Sequence, residues 1–343
     1  MKQHLNTLFI TTEGSYLAKD GEAVAVRLER QVKLRVPLHN LDSVACFGRV
    51  GCSPAAMAAC AERGITISML DANGRFRAAI VGFSPGNVLL RRQQYRVADD
   101  LTAASLIARN MVAAKIANSR SVLLRAARET TVADTRELLE KAAARLVNNL
   151  EAARKCESLD TLRGIEGGAA DLYFSEFPRL IAPQSSEFKF VSRSRRPPLD
   201  AINSLLSFLY SMLAHDARSA CESTGLDAAV GLLHRDRPGR PGLALDLMEE
   251  FRPFLADRLA LSLINRRQVT ASGFTTTETG AVLMDAATRK TVLVAYQKRK
   301  QEVIAHPVLG EKTTLRLLVH LQARLLARRL RGDLDAYPPF IWR

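Results

Sequence analysis

Phe76-Arg-Ala-Ala-Ile80 and Leu101-Thr-Ala-Ala-Ser-Leu-Ile-Ala-Arg-Asn-Met111, parted by Pro85-Gly86 and the basic run Arg91-Arg92-Gln-Gln-Tyr95-Arg96, mark where the chain changes character. Upstream, Leu8-Phe-Ile-Thr11, Ala23-Val-Ala-Val-Arg27, Val32-Lys-Leu-Arg-Val36, Ser43-Val-Ala-Cys46, Thr66-Ile-Ser-Met69 and Phe76–Ile80 are short runs of strand period. Asp20-Gly21 and Asn73-Gly74 are hairpin dipeptides, able to take the positive φ that tight turns demand. One helix interrupts the strands, because Ser53-Pro54 supplies an N-cap and a first-turn proline and Gly64 follows its end. Downstream, Leu101 to Ala127, Val132 to Arg154 and Glu311 to Arg331 are rich in helix formers. The expected fold class is α+β: a strand-rich N-terminal domain over 1–90, a linker over 91–100 and a larger, all-α C-terminal domain over 101–343. Residues 268–285 are expected to form a small hairpin inside the helical part, and the tail from Tyr337 to Arg343, with two prolines and the single tryptophan, is expected to dock as an extended strap.

The 343 residues carry a formal charge of +14 and a pI near 10.0, an excess that favours a polyanionic partner such as nucleic acid. The longest uncharged stretch, between Asp200 and His215, is too short for a transmembrane helix, and the N-terminus lacks the apolar region of an export signal. A cytoplasmic protein without membrane association is therefore expected. Cys46, Cys52, Cys60, Cys156 and Cys221 include no Cys-x-x-Cys pair, so buried reduced thiols are expected rather than a zinc knuckle or disulfides.

Gly231-Leu-Leu-His234 precedes Leu245-Asp246-Leu-Met-Glu249-Glu250-Phe251-Arg252-Pro253. If Leu243 to Phe251 is helical, Asp246, Glu249 and Glu250 share a face. The intervening Arg-Asp-Arg-Pro-Gly-Arg-Pro-Gly242 can fold His234 back toward them. A further carboxylate, Glu166, sits in a helical pattern beside Gly167 and Gly168, whose cost of about 1 kcal/mol each implies room for something large to approach. One imidazole and two or three carboxylates suit Mg²⁺ or Mn²⁺ in phosphodiester chemistry. Spacing alone does not bring Glu166 to His234, and an acidic helix face is otherwise an ordinary solvated surface.

Lys189, Arg193, Arg195 and Arg196 cluster between Phe188 and a helix start capped by Asp200, where guanidiniums can bind phosphates. Gly164-Ile-Glu-Gly-Gly168 matches no nucleotide-binding loop, and no Ser-His-Asp or Cys-His signature is present.

Four ordered motifs carry a resemblance: Gly164-x-Glu166-Gly-x-Ala-Ala-x-x-Tyr-Phe174; Arg196-Pro-Pro-x-Asp200-x-x-Asn203-x-x-Leu-Ser-x-x-Tyr210; Leu233-His234; and Leu245-Asp-Leu-Met-Glu-x-Phe-Arg-Pro253. Together they resemble the CRISPR-associated integrase and endonuclease family, the universal spacer-acquisition subunit, over nearly the whole chain. Ala201 departs from it, standing where a proline is common. The resemblance implies an N-terminal dimerisation domain and a catalytic C-terminal domain with one metal, Mg²⁺ or Mn²⁺, held by Glu166, His234 and an acidic third ligand. Glu249 is favoured for that place, with Asp246 the alternative or a partner behind the ligands. The implied reaction is transesterification of double-stranded DNA, in which the 3′ hydroxyl of a foreign fragment attacks the edge of a CRISPR repeat. Lys189, Arg193, Arg195, Arg196 and Arg252 are then the expected DNA contacts, and a homodimer with a small ferredoxin-like adaptation subunit the expected assembly. Two other readings compete. A metal-dependent repair nuclease would use the same ligands without joining DNA, and an architectural DNA-binding protein would lose nothing when Glu166, His234 or Glu249 became alanine.

Overall fold

The computed structural model describes residues 6–72, 74, 76–82 and 88–342, so the Asn73 turn signal and Pro85-Gly86 lie outside the described residues. The chain divides into two compact units, Met1–Gly86 and Asn87–Arg343.

The first unit holds two four-stranded sheets. One has the order β1 (Asn6–Ile10), β5 (Leu41–Phe47), β7 (Thr66–Leu70), β8 (Phe76–Ile80), the first three parallel and β8 antiparallel. In the other, β4 (Gln31–Pro37), β3 (Ala23–Leu28) and β2 (Tyr16–Asp20) form an antiparallel meander, with β6 (Gly51–Cys52) parallel to β2. Ser53 Oγ accepts from Ala56 N at 3.1 Å and caps α1 (Pro54–Glu62), whose Ala56, Ala59 and Cys60 enter a core with Leu17, Val24, Val44 and Ile67. The Asp20-Gly21 hairpin forms with Gly21 at φ +59°. The turn from β3 to β4 gave no such signal, because Glu29 and Arg30 take the left-handed conformation, at φ 51° and 67°, that Gly or Asn usually supplies.

In the second unit α2 (Val88–Asp99) replaces the expected linker over 91–100. Leu90 and Gln94 lie one turn apart and are both buried, and Gln94 Nε2 donates to Asp227 O and Val230 O while its Oε1 accepts from Asp227 N. A segment bound so closely along one face becomes a helix of the unit. Asp100 then caps α3 (Leu101–Glu129), which packs against α4 (Ala133–Lys155) and α5 (Leu159–Ser175). Asp200 Oδ1 accepts from Asn203 N at 2.7 Å, as expected of a cap, and starts α6 (Ala201–Thr224). Beyond α7 (Gly242–Met248) the chain makes a buried π-helical turn over Arg252–Asp257 and continues as α8 (Arg258–Asn265). The expected hairpin is β9 (Phe274–Thr276) with β10 (Val282–Met284). A second one, β11 (Val303–Ala305) with β12 (Lys312–Thr314), flanks α9 (Ala286–Lys300) and takes the first residues of the helix expected from Glu311, so that α10 spans Leu315–Arg331. Among the described residues no helix is long and apolar enough to cross a membrane. Four cysteines are buried and Cys52 is half-buried, all free.

The tail docks without regular structure. Phe340 stacks on Phe251 with ring centroids 5.5 Å apart and meets Phe254 at 5.3 Å, and Trp342 lies under Arg258 at 4.2 Å. Asn118 of α3 donates to Glu250 O at 2.7 Å and Phe340 O at 3.0 Å, and accepts from Trp342 N. The tail thus stitches α3 to the turn after α7. Phe340→Ala is expected to destabilise the protein by about 3–5 kcal/mol in urea denaturation, whereas an unchanged midpoint would mean the tail is not part of the core.

Candidate active site

A carboxylate sealed from water has to satisfy its lone pairs, and Asp246, fully buried on α7, does so with donors from one loop. Its Oδ2 accepts from Leu232 N at 2.5 Å and Leu233 N at 2.9 Å, and its Oδ1 from His234 N at 3.0 Å and His234 Nδ1 at 2.5 Å. Gly231 makes this approach possible, since a Cβ there would stand 2.9 Å from Asp246 Oδ2 and equally close to the Gly242 backbone. Because Asp246 already accepts three peptide N–H groups as an acceptor, Nδ1 carries the imidazole proton and the Nε2 lone pair is left free. It faces Glu249, whose Oε1 lies 3.9 Å away. Arg163 Nε of α5 donates to Leu233 O at 2.7 Å, tying the histidine loop to the helix that carries Glu166.

Glu166 and Glu249 meet through a residue the sequence reading passed over. Lys115 of α3 is ion-paired to Glu166 Oε1 and, at 2.7 Å, to Glu249 Oε2. Arg252 adds a second cation to Glu249, Nη1 to Oε1 at 2.9 Å, and lies over the Tyr210 ring at 4.9 Å. Burial alone would raise the Glu249 carboxyl, but the Arg252 and Lys115 cations outweigh it and hold the group well below the ordinary carboxylate range. Lys115, Glu166, Tyr210, Arg252 and Arg195 line one cleft. Where a Cβ would stand on Gly167 or Gly168, nothing lies within 4 Å, so the helix face beside Glu166 is open, as the glycine pair implied.

The structure corrects three expectations. Glu250 does not share a face with Asp246 and Glu249, because the helix ends at Met248 and Glu250 turns toward the tail. There it accepts from Tyr337 OH at 2.6 Å, Phe340 N at 2.7 Å and Gln322 Nε2 at 3.0 Å. Arg193 is turned inward and not offered to a phosphate: it donates to Asn203 Oδ1 at 2.6 Å and Ser207 Oγ at 3.2 Å, over Tyr210 at 5.3 Å. Arg252 is likewise buried and engaged with Glu249, while Lys189, Arg195 and Arg196 are exposed. The signal that could have exposed Lys115 is its place in Met111-Val-Ala-Ala-Lys115-Ile-Ala-Asn118, a cation in an otherwise apolar run of helix.

Glu166, Glu249 and His234 Nε2 are a donor set suited to a hard divalent ion, with the imidazole oriented from behind by Asp246. Glu249 Oε2 is buried and accepts no well-directed hydrogen bond although Lys115 Nζ is near, a lone pair available to a cation. Among the described residues no three His, Cys, Asp or Glu side chains are gathered closely enough to hold an ion as they lie, because the Lys115 ammonium separates Glu166 from Glu249.

Residues 8–298 match the sequence model of the family described as CRISPR associated protein Cas1. The chain belongs to the Cas1 family. It is 51% identical over 343 residues to CRISPR-associated endonuclease Cas1 1 of Chlorobaculum tepidum and 53% identical over 347 residues to CRISPR-associated endonuclease Cas1 2 of Rhodospirillum rubrum, covering all of each. A CAS1 protein from Thermotoga maritima shares the fold with a TM-score of 0.83 at 23% identity, over 97% of this chain and 99% of that one. A casposase bound to integration product shares it with a TM-score of 0.82 at 21% identity, over 99% and 95%. The strand-rich unit followed by a larger helical one is therefore the Cas1 arrangement.

Burial pushes the Glu250 carboxyl up to about 8, against the three donors that pull it down. A folded-state value above the ordinary 4.5 contributes stability that is complete below 4.5 and is lost as pH rises through about 8. Across that window the melting temperature of the wild type is expected to fall more steeply than that of Glu250→Gln in scanning calorimetry. Parallel curves would mean that Glu250 does not titrate in the folded protein.

Proposed function

We propose that this Cas1-family chain is a CRISPR adaptation integrase and DNA endonuclease that inserts foreign DNA fragments at CRISPR repeats by metal-dependent transesterification. The observation that carries this reading is the Asp246–His234 pair aiming Nε2 at Glu249, with Glu166 joined across a single cation on the wall of a basic cleft. Names of relatives as endonucleases, covering the full chain at about half identity, support the same activity.

Glu166, His234 and Glu249 would hold one Mg²⁺ or Mn²⁺, which, when bound, polarises the scissile phosphate and offsets charge on the oxygens entering and leaving phosphorus. Asp246 fixes the tautomer and ring plane of His234, so that Nε2 is presented as a lone pair. Arg252, held by Glu249 and the Tyr210 ring, keeps a permanent positive charge at the cleft wall. Arg195, exposed at the same cleft, is placed to take a DNA phosphate, and Lys189 and Arg196 extend the basic surface. In the reaction the 3′ oxygen of the fragment bonds to a repeat phosphorus, the phosphorus to 3′-oxygen bond of the repeat breaks, and the attacking hydroxyl's proton passes to solvent while the leaving 3′ oxygen takes one up and departs as a hydroxyl. One ester replaces another, so no external energy source is required.

Double-stranded DNA, a second copy of the chain through its strand-rich unit, and a small ferredoxin-like adaptation subunit complete the proposed assembly. Neighbours of the same fold include a Cas6-RT-Cas1–Cas2 complex, of which this chain spans 36% of the matched chain.

The test is strand transfer of a 3′-hydroxyl fragment into a supercoiled plasmid carrying leader and repeat, with the partner subunit and Mn²⁺ or Mg²⁺. Joining at the repeat edges is expected, lost in His234→Ala and lowered about 10–100-fold in Asp246→Asn. Cutting without joining would favour the repair nuclease, and DNA binding with neither would favour the architectural reading.

A further inference from the structure

We infer that Lys115 is a built-in counter-cation: it holds Glu166 and Glu249 in the metal-free protein, leaves them when a divalent ion enters, and then serves the cleft as a positive charge for the scissile phosphate. The inference rests on the metal-dependent reading above and adds to it a residue outside the ligand set.

Among the described residues the partners of the Lys115 ammonium are the two carboxylates, and its side chain is only 9% exposed. A buried lysine requires such partners, because an unpaired charge away from water is strongly disfavoured. The two carboxylates of the cluster need cations in turn, and with Lys115 and Arg252 the four charges cancel. The cluster is therefore balanced by its own side chains.

An ion held by Glu166, Glu249 and His234 would call on the same carboxylates that the Lys115 ammonium engages. Like charges so close repel, so the ion and the ammonium compete for the two carboxylates. Of the two resident cations Lys115 is the one free to go. Arg252 is held by its ion pair with Glu249 and by the Tyr210 ring, whereas lysine is a point charge at the end of four methylenes. The cleft next to it, lined by Ser119, Tyr210 and Arg195, gives the ammonium a place to turn to. There it stands on the same cleft wall as Arg195, and its charge adds to that of Arg252 where a phosphodiester under attack gathers negative charge around phosphorus. A lysine that only propped the helices apart would have no reason to sit between two ligands, nor to border the cleft.

The experiment compares the wild type with Lys115→Met, full chain, by calorimetric titration with Mn²⁺ and by melting in EDTA. Lys115→Met is expected to bind Mn²⁺ about tenfold more tightly, since no internal cation has to be displaced. It is also expected to melt lower in EDTA, to recover with Mn²⁺, and to join DNA more slowly than wild type at saturating Mn²⁺. A structural role alone would not combine tighter metal with slower joining. The wild type supplies a readout that does not depend on the variant folding: reductive methylation of Lys115, followed by mass spectrometry, is expected to run several-fold faster with Mn²⁺ than in EDTA. Equal or weaker Mn²⁺ affinity in Lys115→Met, or methylation indifferent to Mn²⁺, overturns the inference and leaves the metal site standing. No Mn²⁺ binding by either protein overturns both.

Discussion

The fully buried carboxylate of Asp246 gathers four hydrogen bonds from one short loop, and the rest of the site is built around that contact. Three of the donors are consecutive peptide N–H groups, Leu232 to His234, so the loop is bound by its backbone and its path does not depend on side chains. The fourth, His234 Nδ1, converts that path into an imidazole orientation. Once the orientation is set, Nε2 can face only Glu249, three residues on from Asp246. Gly231 and Gly242 are required by the same contact, because a Cβ on Gly242 would lie 2.6 Å from Ala229 O and one on Gly231 would meet Asp246 itself.

Charge is distributed with equal economy. The interior near the site holds Glu249, Glu250, Asp246, Asp257, Lys115 and Arg252, all nearly inaccessible to water. Each has a distinct set of partners, which is what makes such a concentration tolerable. Glu249 and Glu250 are neighbours in sequence and opposite in environment: cations pull one carboxyl down, and burial pushes the other up to about 8. The tail, held by Glu250 and Asn118, keeps α3 and the turn after α7 in register, and so fixes the distance between Lys115 and Glu249.

Much of this was legible in the chain before any coordinates. Strand period and the Ser53-Pro54 start placed most of the first unit, and Glu166, His234, Asp246 and Glu249 were singled out from motif and spacing. What was missed has physical reasons. Residues 91–100 looked like a linker because their run of charge and glutamine hides an inward position, Gln94, whose worth comes from contacts with Asp227 and Val230 far along the chain. Helical spacing grouped Glu250 with Asp246 and Glu249, but the helix ends at Met248, and only the tail, some ninety residues later, shows where Glu250 goes. Arg193 reads as a surface cation until Asn203, Ser207 and Tyr210 are seen to surround it. Lys115 was passed over because composition treats a lysine in a helix as solvated, whereas two carboxylates from distant parts of the chain make it a core residue.

The central claim is that His234, held by Asp246, presents Nε2 to a divalent ion shared with Glu249 and Glu166. Electron spin-echo modulation of Mn²⁺ added to the full-length protein tests it most directly. The account predicts nitrogen modulation from one directly bound imidazole, absent in His234→Ala and altered in Asp246→Asn. Bound Mn²⁺ with no nitrogen coupling in the wild type would contradict it.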